Sequence, residues 1–289
     1  MEYLRVVKPW LVLANLVTAA AGFLFAAREP FAAGTFAAAL CGIALFVACG
    51  CVCNNWLDRD MERTMARTRE RALATGALSP RAAFLSALGL GMAGVIVLLA
   101  GTNGLTLALV LAGLAVYVVV YTAWLKRRSP WSTVVGSLAG AAPPLAGYCA
   151  AAGAFDVGAA LLLAIFSLWQ IPHSYAITEL RRDDYAAAGV PVLPVRYGVA
   201  ATKRHLFRHT LAFAGAALLP PVFGLAGPVY AVGALLLGVG WIVLARRWLA
   251  LERADETRFA KILYVYSIVA VVALSVLLAA DAVRAAPLS

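Results

Sequence analysis

Nine apolar runs, each long enough to cross a lipid bilayer, take up most of this chain. They fall at about 10–27, 32–53, 82–101, 104–125, 132–152, 157–177, 206–226, 228–245 and 263–283. A spanning helix needs roughly 17–25 such residues. In lipid an isolated helix satisfies its own backbone hydrogen bonds, and an open strand does not. The runs therefore predict an all-α, polytopic membrane bundle of nine transmembrane helices. What lies between them leaves no room for a separate soluble domain, so residues 1–289 read as one membrane-embedded domain. Only 13% of the residues are charged, about half the share usual in soluble domains, which fits.

The net charge is +10, which in a soluble protein would raise nucleic acid as a partner. The positions of the basic residues point to a lipid bilayer instead. Lys and Arg fall at 5 and 8, at 59–81, at 126–128, at 181–208 and at 246–261, and these groups hold 22 of the 24. If nine spans alternate, all five groups share one side, and only Arg28 and Arg284 fall on the other. That asymmetry places the N-terminus in the cytoplasm and the C-terminus outside. Arg5, Lys8 and Ala19-Ala20-Ala21 have the outline of a signal peptide, but with eight further spans an uncleaved first helix suffices. Cys41, Cys49, Cys51, Cys53 and Cys149 all fall in apolar runs. An odd count inside helices argues against a disulfide framework and for small buried hydrophobes.

Where the second run ends, polar residues begin at a helical interval. Asn54, Asp58 and Glu62 are four apart, so on a helix they share one face. Arg63, Arg67, Arg69 and Arg71 follow. Carboxylates hold hard divalent cations through oxygen, and arginines pair with phosphate oxygens in bidentate fashion. Metal plus diphosphate is one reading. A solvated helix laced with i, i+4 ion pairs is the other. Asn54 favours the first, because it sits at the inner end of an apolar span, where polar groups are expensive unless used.

A second stretch, Trp169-Gln170-Ile171-Pro172-His173-Ser174-Tyr175, leads to Glu179 and Asp183, again four apart. Pro172 can open the helix, leaving free carbonyls near His173. His173 reads equally as a buried structural histidine or as a site residue. The loops at about 57–81 and 178–204 follow spans 2 and 6 and share this acid-then-arginine order. They suggest a weak internal duplication facing one cavity. Lys126-Arg127-Arg128 is explained by membrane anchoring or by diphosphate contact, and Tyr117 and Tyr121 by core packing or a cavity wall. His205 and His209, also four apart, read as interface histidines. Pro143-Pro144 and Pro220-Pro221 are expected to break or kink spans 5 and 7.

Asn54-Asn55-x-x-Asp58-Arg59-Asp60-x-x-Arg63-x-Met65-x-Arg67-Thr68 resembles the first aspartate-rich motif of the UbiA superfamily of intramembrane prenyltransferases. Trp169-Gln170-x-Pro172-His173-Ser174-Tyr175-Ala176, with Asp183-Asp184-Tyr185 and Gly189-x-Pro191-Val192-Leu193-Pro194, resembles its protoheme IX farnesyltransferase family. Lys8-Pro9 with Asn15, and the Gly136 to Tyr148 segment, are similar too. One departure is Glu62, where the superfamily often has Asp; the charge is kept.

The resemblance implies transfer of farnesyl from farnesyl diphosphate to a vinyl group of haem B, with addition of water, giving haem O, at a bacterial inner membrane. It implies Mg²⁺ held by Asn54, Asp58 and Glu62, with Glu179 or Asp183 for a second ion. Arg67, Arg71 and Lys126 would neutralise the leaving diphosphate, and Asn55, Tyr175 and Asp184 would help bind substrate. His173 would orient haem or take a proton from water. Haem-processing or terminal oxidase proteins are the partners it suggests. Other readings are a prenyltransferase for a quinone or chlorophyll precursor, against which His173 counts, and a cation transporter. The acids cluster at one face and not at the midplane, which disfavours transport.

Overall fold

The computed structural model describes residues 6–27, 29–251 and 256–282. Arg5, Arg28, Arg253 and Arg284 lie outside the described residues. Among those described, nine long helices make up the fold. They are α1 (Pro9–Ala26), α2 (Ala33–Glu62), α3 (Pro80–Gly101) and α4, which runs from Gly104 to Arg127. Then come α5 (Ser132–Ala152), α6 (Val157–Leu180), α7 (Leu193–Ala217), α8 (Pro228–Ala250) and α9 (Glu256–Ala280). Short polar turns set several boundaries. The side chains of Ser79, Asn103 and Asp156 accept from Ala82, Thr106 and Ala159 N–H at 3.1, 2.9 and 3.1 Å, capping α3, α4 and α6. α5 stops at Gly153, whose φ of 71° suits glycine.

Eight of the nine helices are long and apolar enough to cross a bilayer, and the protein is an integral membrane protein. α7 differs from expectation. It occupies Leu193–Ala217, well before the expected 206–226, and carries Arg196, Lys203, Arg204 and Arg208. Gly198, at φ 80° and ψ 170°, kinks its second turn, a conformation open to glycine. Lys203 is buried, yet pairs with Glu256 at 2.8 Å and donates to the Leu251 carbonyl at 2.7 Å, which accounts for one of those charges. Pro220-Pro221 lie in a short turn, Leu219–Val222, just beyond the end of α7, as expected. Pro143, Pro144 and Pro172 do not break their helices: α5 and α6 run on through them. Neighbouring turns hold the axis, so each proline removes one backbone bond without ending the helix.

α2 packs along α3, α1 along α5, α5 along α6, α6 along α7, and α7 along α8; α9 touches α6, α8 and α1 and so closes the ring. At the α1–α5 crossing, a Cβ on Gly22 would strike the Pro144 carbonyl, and one on Gly147 the Ala19 carbonyl. Glycine there lets the backbones touch. A continuous core joins α5 to α9 through Leu162, Phe213, Trp241, Trp248 and Leu263. Leu85, Ile96, Leu99, Val119, Leu236 and Val276 point outward, where lipid accepts them.

Candidate active site

The inner end of α2 carries its polar ladder into the protein. Asn54, Asp58 and Glu62 are 7%, 1% and 4% exposed, which rules out the solvated-helix reading. Asn54 Nδ2 donates to Asp58 Oδ2 at 2.8 Å and to Thr122 Oγ1 at 3.4 Å. Its Oδ1 accepts from Lys8 Nζ at 3.0 Å. Lys126, from α4, donates to Asp58 Oδ2, and Arg127 approaches Asp58 Oδ1 at 3.8 Å. The starts of α1 and the ends of α2 and α4 thus meet at one end of the bundle. Desolvation, with the positive Arg71 nearby, pushes the Lys8 ammonium down to about 8. The surface pairs expected of a charge run exist, but between Asp60 and its neighbours Arg59 and Arg63.

Glu62 forms the next part of the cluster. Arg71 pairs with it and donates to Asn55 Oδ1 at 3.2 Å, while Asn55 Nδ2 donates to the Val6 carbonyl at 3.0 Å. The loops at about 57–81 and 178–204 do face each other. Met61 and Met65 pack on Val190 and Val192, with Tyr185 against them. Arg67 reaches Asp184 at 3.8 Å, and desolvation followed by the charge of Arg71 lowers the Arg67 pKa. Glu179 is buried and pairs with Arg182 at 3.5 Å. The Asp183 side chain is fully exposed, 3.8 Å from Arg182. No hydrogen bond or ion pair among the described residues joins Glu179 or Asp183 to the Asp58 cluster.

A cavity of about 700 Å³ opens beside these groups. Asn54, Lys126 and Tyr185 line its polar end, and Trp169, Gln170, His173 and Tyr264 another part of its wall. Much of the remainder is apolar, including Phe46, Phe166, Ile268 and Val271. Tyr117 and Tyr121 are cavity-wall residues, their rings stacked at 6.1 Å and 12°. They stand on a π-helical stretch of α4, Val116–Trp124, whose wider turn places residues four apart almost one above the other. The same stretch lets Thr122 donate to the Tyr117 carbonyl at 2.8 Å while accepting from Asn54. Tyr175 is different: it is wholly buried beside His205 and His209 and is not on the cavity wall. His209 Nδ1 bonds the His205 carbonyl at 2.7 Å, so that pair is a packing feature.

The donor set suits a hard cation. Asp58 Oδ1, Glu62 Oε2 and Glu179 Oε2 are buried oxygens that accept no hydrogen bond. Buried carboxylate oxygens are seldom left so. With Asn54 they are the oxygen ligands Mg²⁺ takes. Among the described residues the acids do not yet converge as a group of three; Lys126 and Arg71 hold Asp58 and Glu62 apart in their own pairs. Three further contributors were not picked out as site residues from sequence: Lys8, Thr122 and Ser267, the last a hydrogen-bond partner of His173. Lys8 had a signal, a cation at the mouth of an apolar helix. Thr122 and Ser267 had none, being hydroxyls inside apolar runs.

Residues 15–268 match the model of the UbiA prenyltransferase family. The chain is 46% identical over 280 residues to a protoheme IX farnesyltransferase of Klebsiella pneumoniae, covering 97% of this chain and 94% of that one. It is 44% identical, with the same coverage, to one of Yersinia enterocolitica. In fold it is similar to a digeranylgeranylglyceryl phosphate synthase, with a TM-score of 0.77 at 16% identity over 96% of this chain and 99% of the other. It is also similar to a UbiA homolog from Archaeoglobus fulgidus bound to GPP and Mg²⁺, with a TM-score of 0.69 at 17% identity over 96% and 100%.

Proposed function

This chain belongs to the UbiA prenyltransferase family, and from that premise we propose how its residues divide the work of making haem O. The enzyme transfers the farnesyl group of farnesyl diphosphate to a vinyl group of haem B. The C1–O bond of farnesyl diphosphate breaks and its electron pair leaves with diphosphate. C1 bonds to the outer vinyl carbon. Water oxygen bonds to the inner vinyl carbon and loses a proton. The products are haem O, diphosphate and that proton. One observation carries this reading: in a chain aligned over 97% of its length with farnesyltransferases of protoheme IX, a single cavity runs past both Asn54–Lys126 and His173.

Asn54, Asp58 and Glu62 are the residues to hold Mg²⁺, with Glu179 or Asp183 for a second ion; the metal would supply positive charge to the departing diphosphate. Lys126, Arg67 and Arg71 pair with diphosphate oxygens as their charge grows. To do so Lys126 and Arg71 exchange a carboxylate for a phosphate, which frees Asp58 and Glu62 for the cation. Asn55 positions Arg71 through its 3.2 Å bond, and Asp184 restrains Arg67. The apolar wall keeps water from the farnesyl cation until the vinyl group has reacted. The tyrosine faces of Tyr117 and Tyr121 favour a passing cation. His173 serves haem. Tyr175, behind the wall, supports the helix that carries His173.

The asymmetry of the basic loops supports a site at the cytoplasmic face of a bacterial plasma membrane, with the N-terminus inside and the C-terminus outside. The product passes to a haem-processing or terminal oxidase protein. The test is an assay of haem B against aromatic acceptors with farnesyl diphosphate and Mg²⁺. Product from haem B alone supports the reading, and product only from an aromatic acceptor overturns it.

A further inference from the structure

Ser267, in the middle of α9, meets a histidine ring 94 residues away. His173 Nδ1 lies 2.7 Å from Ser267 Oγ. The serine has one hydroxyl proton, and it goes to the Tyr264 carbonyl at 2.6 Å. A carbonyl can only accept. Toward His173, therefore, Ser267 Oγ can only accept as well, and Nδ1 must carry the hydrogen. Ser267 is wholly buried, so no solvent competes for either bond. In a neutral imidazole with a protonated Nδ1, the lone pair sits on Nε2.

The same serine also fixes the ring's plane. Trp169 Nε1 donates to the Ser267 carbonyl at 2.8 Å. The Trp169 and His173 rings stack at 4.7 Å and 23°, and Tyr264 lies 5.3 Å away on a 34° tilt. His173 lines the cavity, and among the described residues Nε2 has no hydrogen-bond partner. The wall nearby includes Ile177, Ile268, Val271 and Val272, which suit a flat apolar ring system better than an ordered water.

Resting on the haem B reading above, we propose that Ser267 is a positioning residue: it holds His173 as the Nδ1–H tautomer and presents the bare Nε2 lone pair as a ligand to the iron of the haem B substrate. A hydrogen bond from the non-ligating nitrogen is what commonly orients and strengthens a ligating imidazole. Coordination fixes the porphyrin's position relative to the cavity, and so which edge can meet the farnesyl carbon. The other two histidines, His205 and His209, are not on this wall.

The experiment is haem B titration of the purified full chain, without farnesyl diphosphate, read by resonance Raman for the ferrous iron–histidine stretch. Wild type should show that band, and His173→Ala should lose it. Ser267→Ala should shift the band to lower frequency or lose it, with haem affinity weakened about tenfold, the loss seen when such supporting bonds are removed. Ser267→Thr, which keeps the hydroxyl, should restore it. Should Ser267→Ala fail to fold, Ser267→Cys, a weaker acceptor, must move the band in the same direction. Retention of the band in His173→Ala, or an unchanged band in every folded Ser267 variant, overturns the proposal. Turnover is scored separately: a wild type that shows the band but makes no haem O counts against the farnesyl-transfer reading and leaves the ligand assignment standing.

Discussion

Lys126 and Asp58 are 68 residues apart in sequence, and the lysine ammonium donates a hydrogen bond to the aspartate Oδ2. Their side chains are 12% and 1% exposed, so the pair is largely withdrawn from water. A desolvated ion pair stabilises little by itself, but removing one partner leaves a charge stranded. Each member thus holds the other in place for a later exchange, lysine to phosphate and aspartate to metal.

Lys126→Met should therefore unfold more easily, by about 3 kcal/mol, because only the neutral Asn54 amide and the more distant Arg127 remain to meet the Asp58 charge. Adding Asp58→Asn should recover part of that loss. Asp58→Asn alone should stay folded and membrane-inserted, since the amide oxygen still accepts from Lys126, while turnover falls at least about 100-fold. Thermal unfolding in detergent and haem O formation measure the two effects. Near-normal turnover in Asp58→Asn would remove Asp58 from the metal site.

His173→Ala should lose farnesylation of haem B and still bind farnesyl diphosphate with Mg²⁺, because the carboxylates and cations are untouched. Separate binding measurements for the two substrates decide it. If His173 only packs, the substitution should weaken both together and lower the unfolding temperature.

Lys8 gives the site a pH dependence. Its ammonium, lowered to about 8 by desolvation, is charged below that pH and neutral above it. Affinity for a non-hydrolysable farnesyl thiodiphosphate should hold near neutral pH and weaken as pH rises through about 8. Lys8→Met should weaken binding at neutral pH, by about five- to tenfold, and flatten the profile. A profile that is unchanged in Lys8→Met would separate Lys8 from the diphosphate.

The fold was largely legible because lipid imposes one rule, length of apolar run, and eight helices obey it. α7 was misplaced for the same reason. Its first half is polar and is held by partners such as Glu256, which hydropathy does not see. The prolines differ in a related way: Pro143-Pro144 lie inside an unbroken α5 and Pro172 inside an unbroken α6, because the surrounding helices keep them intact. The Asn54–Asp58–Glu62 ladder was visible as spacing, while its pairing with Lys126 depends on where α4 ends. Thr122 reaches Asn54 only because α4 becomes π-helical. Ser267 meets His173 only because α9 returns to close the ring against α6. Tertiary accidents of this kind leave no local mark in a sequence.

Topology follows from the same loops. In a Cys41→Ala background, Ala66→Cys and Ala186→Cys, both at exposed positions near Arg67 and Arg181, should react with an impermeant thiol reagent only from the cytoplasmic side. Labelling of either from outside would overturn the orientation and the side on which the site opens.

The most direct measurement is of the product. Haem is extracted from membranes of cells that lack any other source of haem O, with and without this chain, and read by mass. The expected result is haem O, that is haem B plus one farnesyl group and one hydroxyl group, only where the chain is present. It should disappear on chelation of Mg²⁺ and in Asp58→Asn. Haem B alone in both extracts, from membranes that contain the folded chain, farnesyl diphosphate and Mg²⁺, would contradict the assignment.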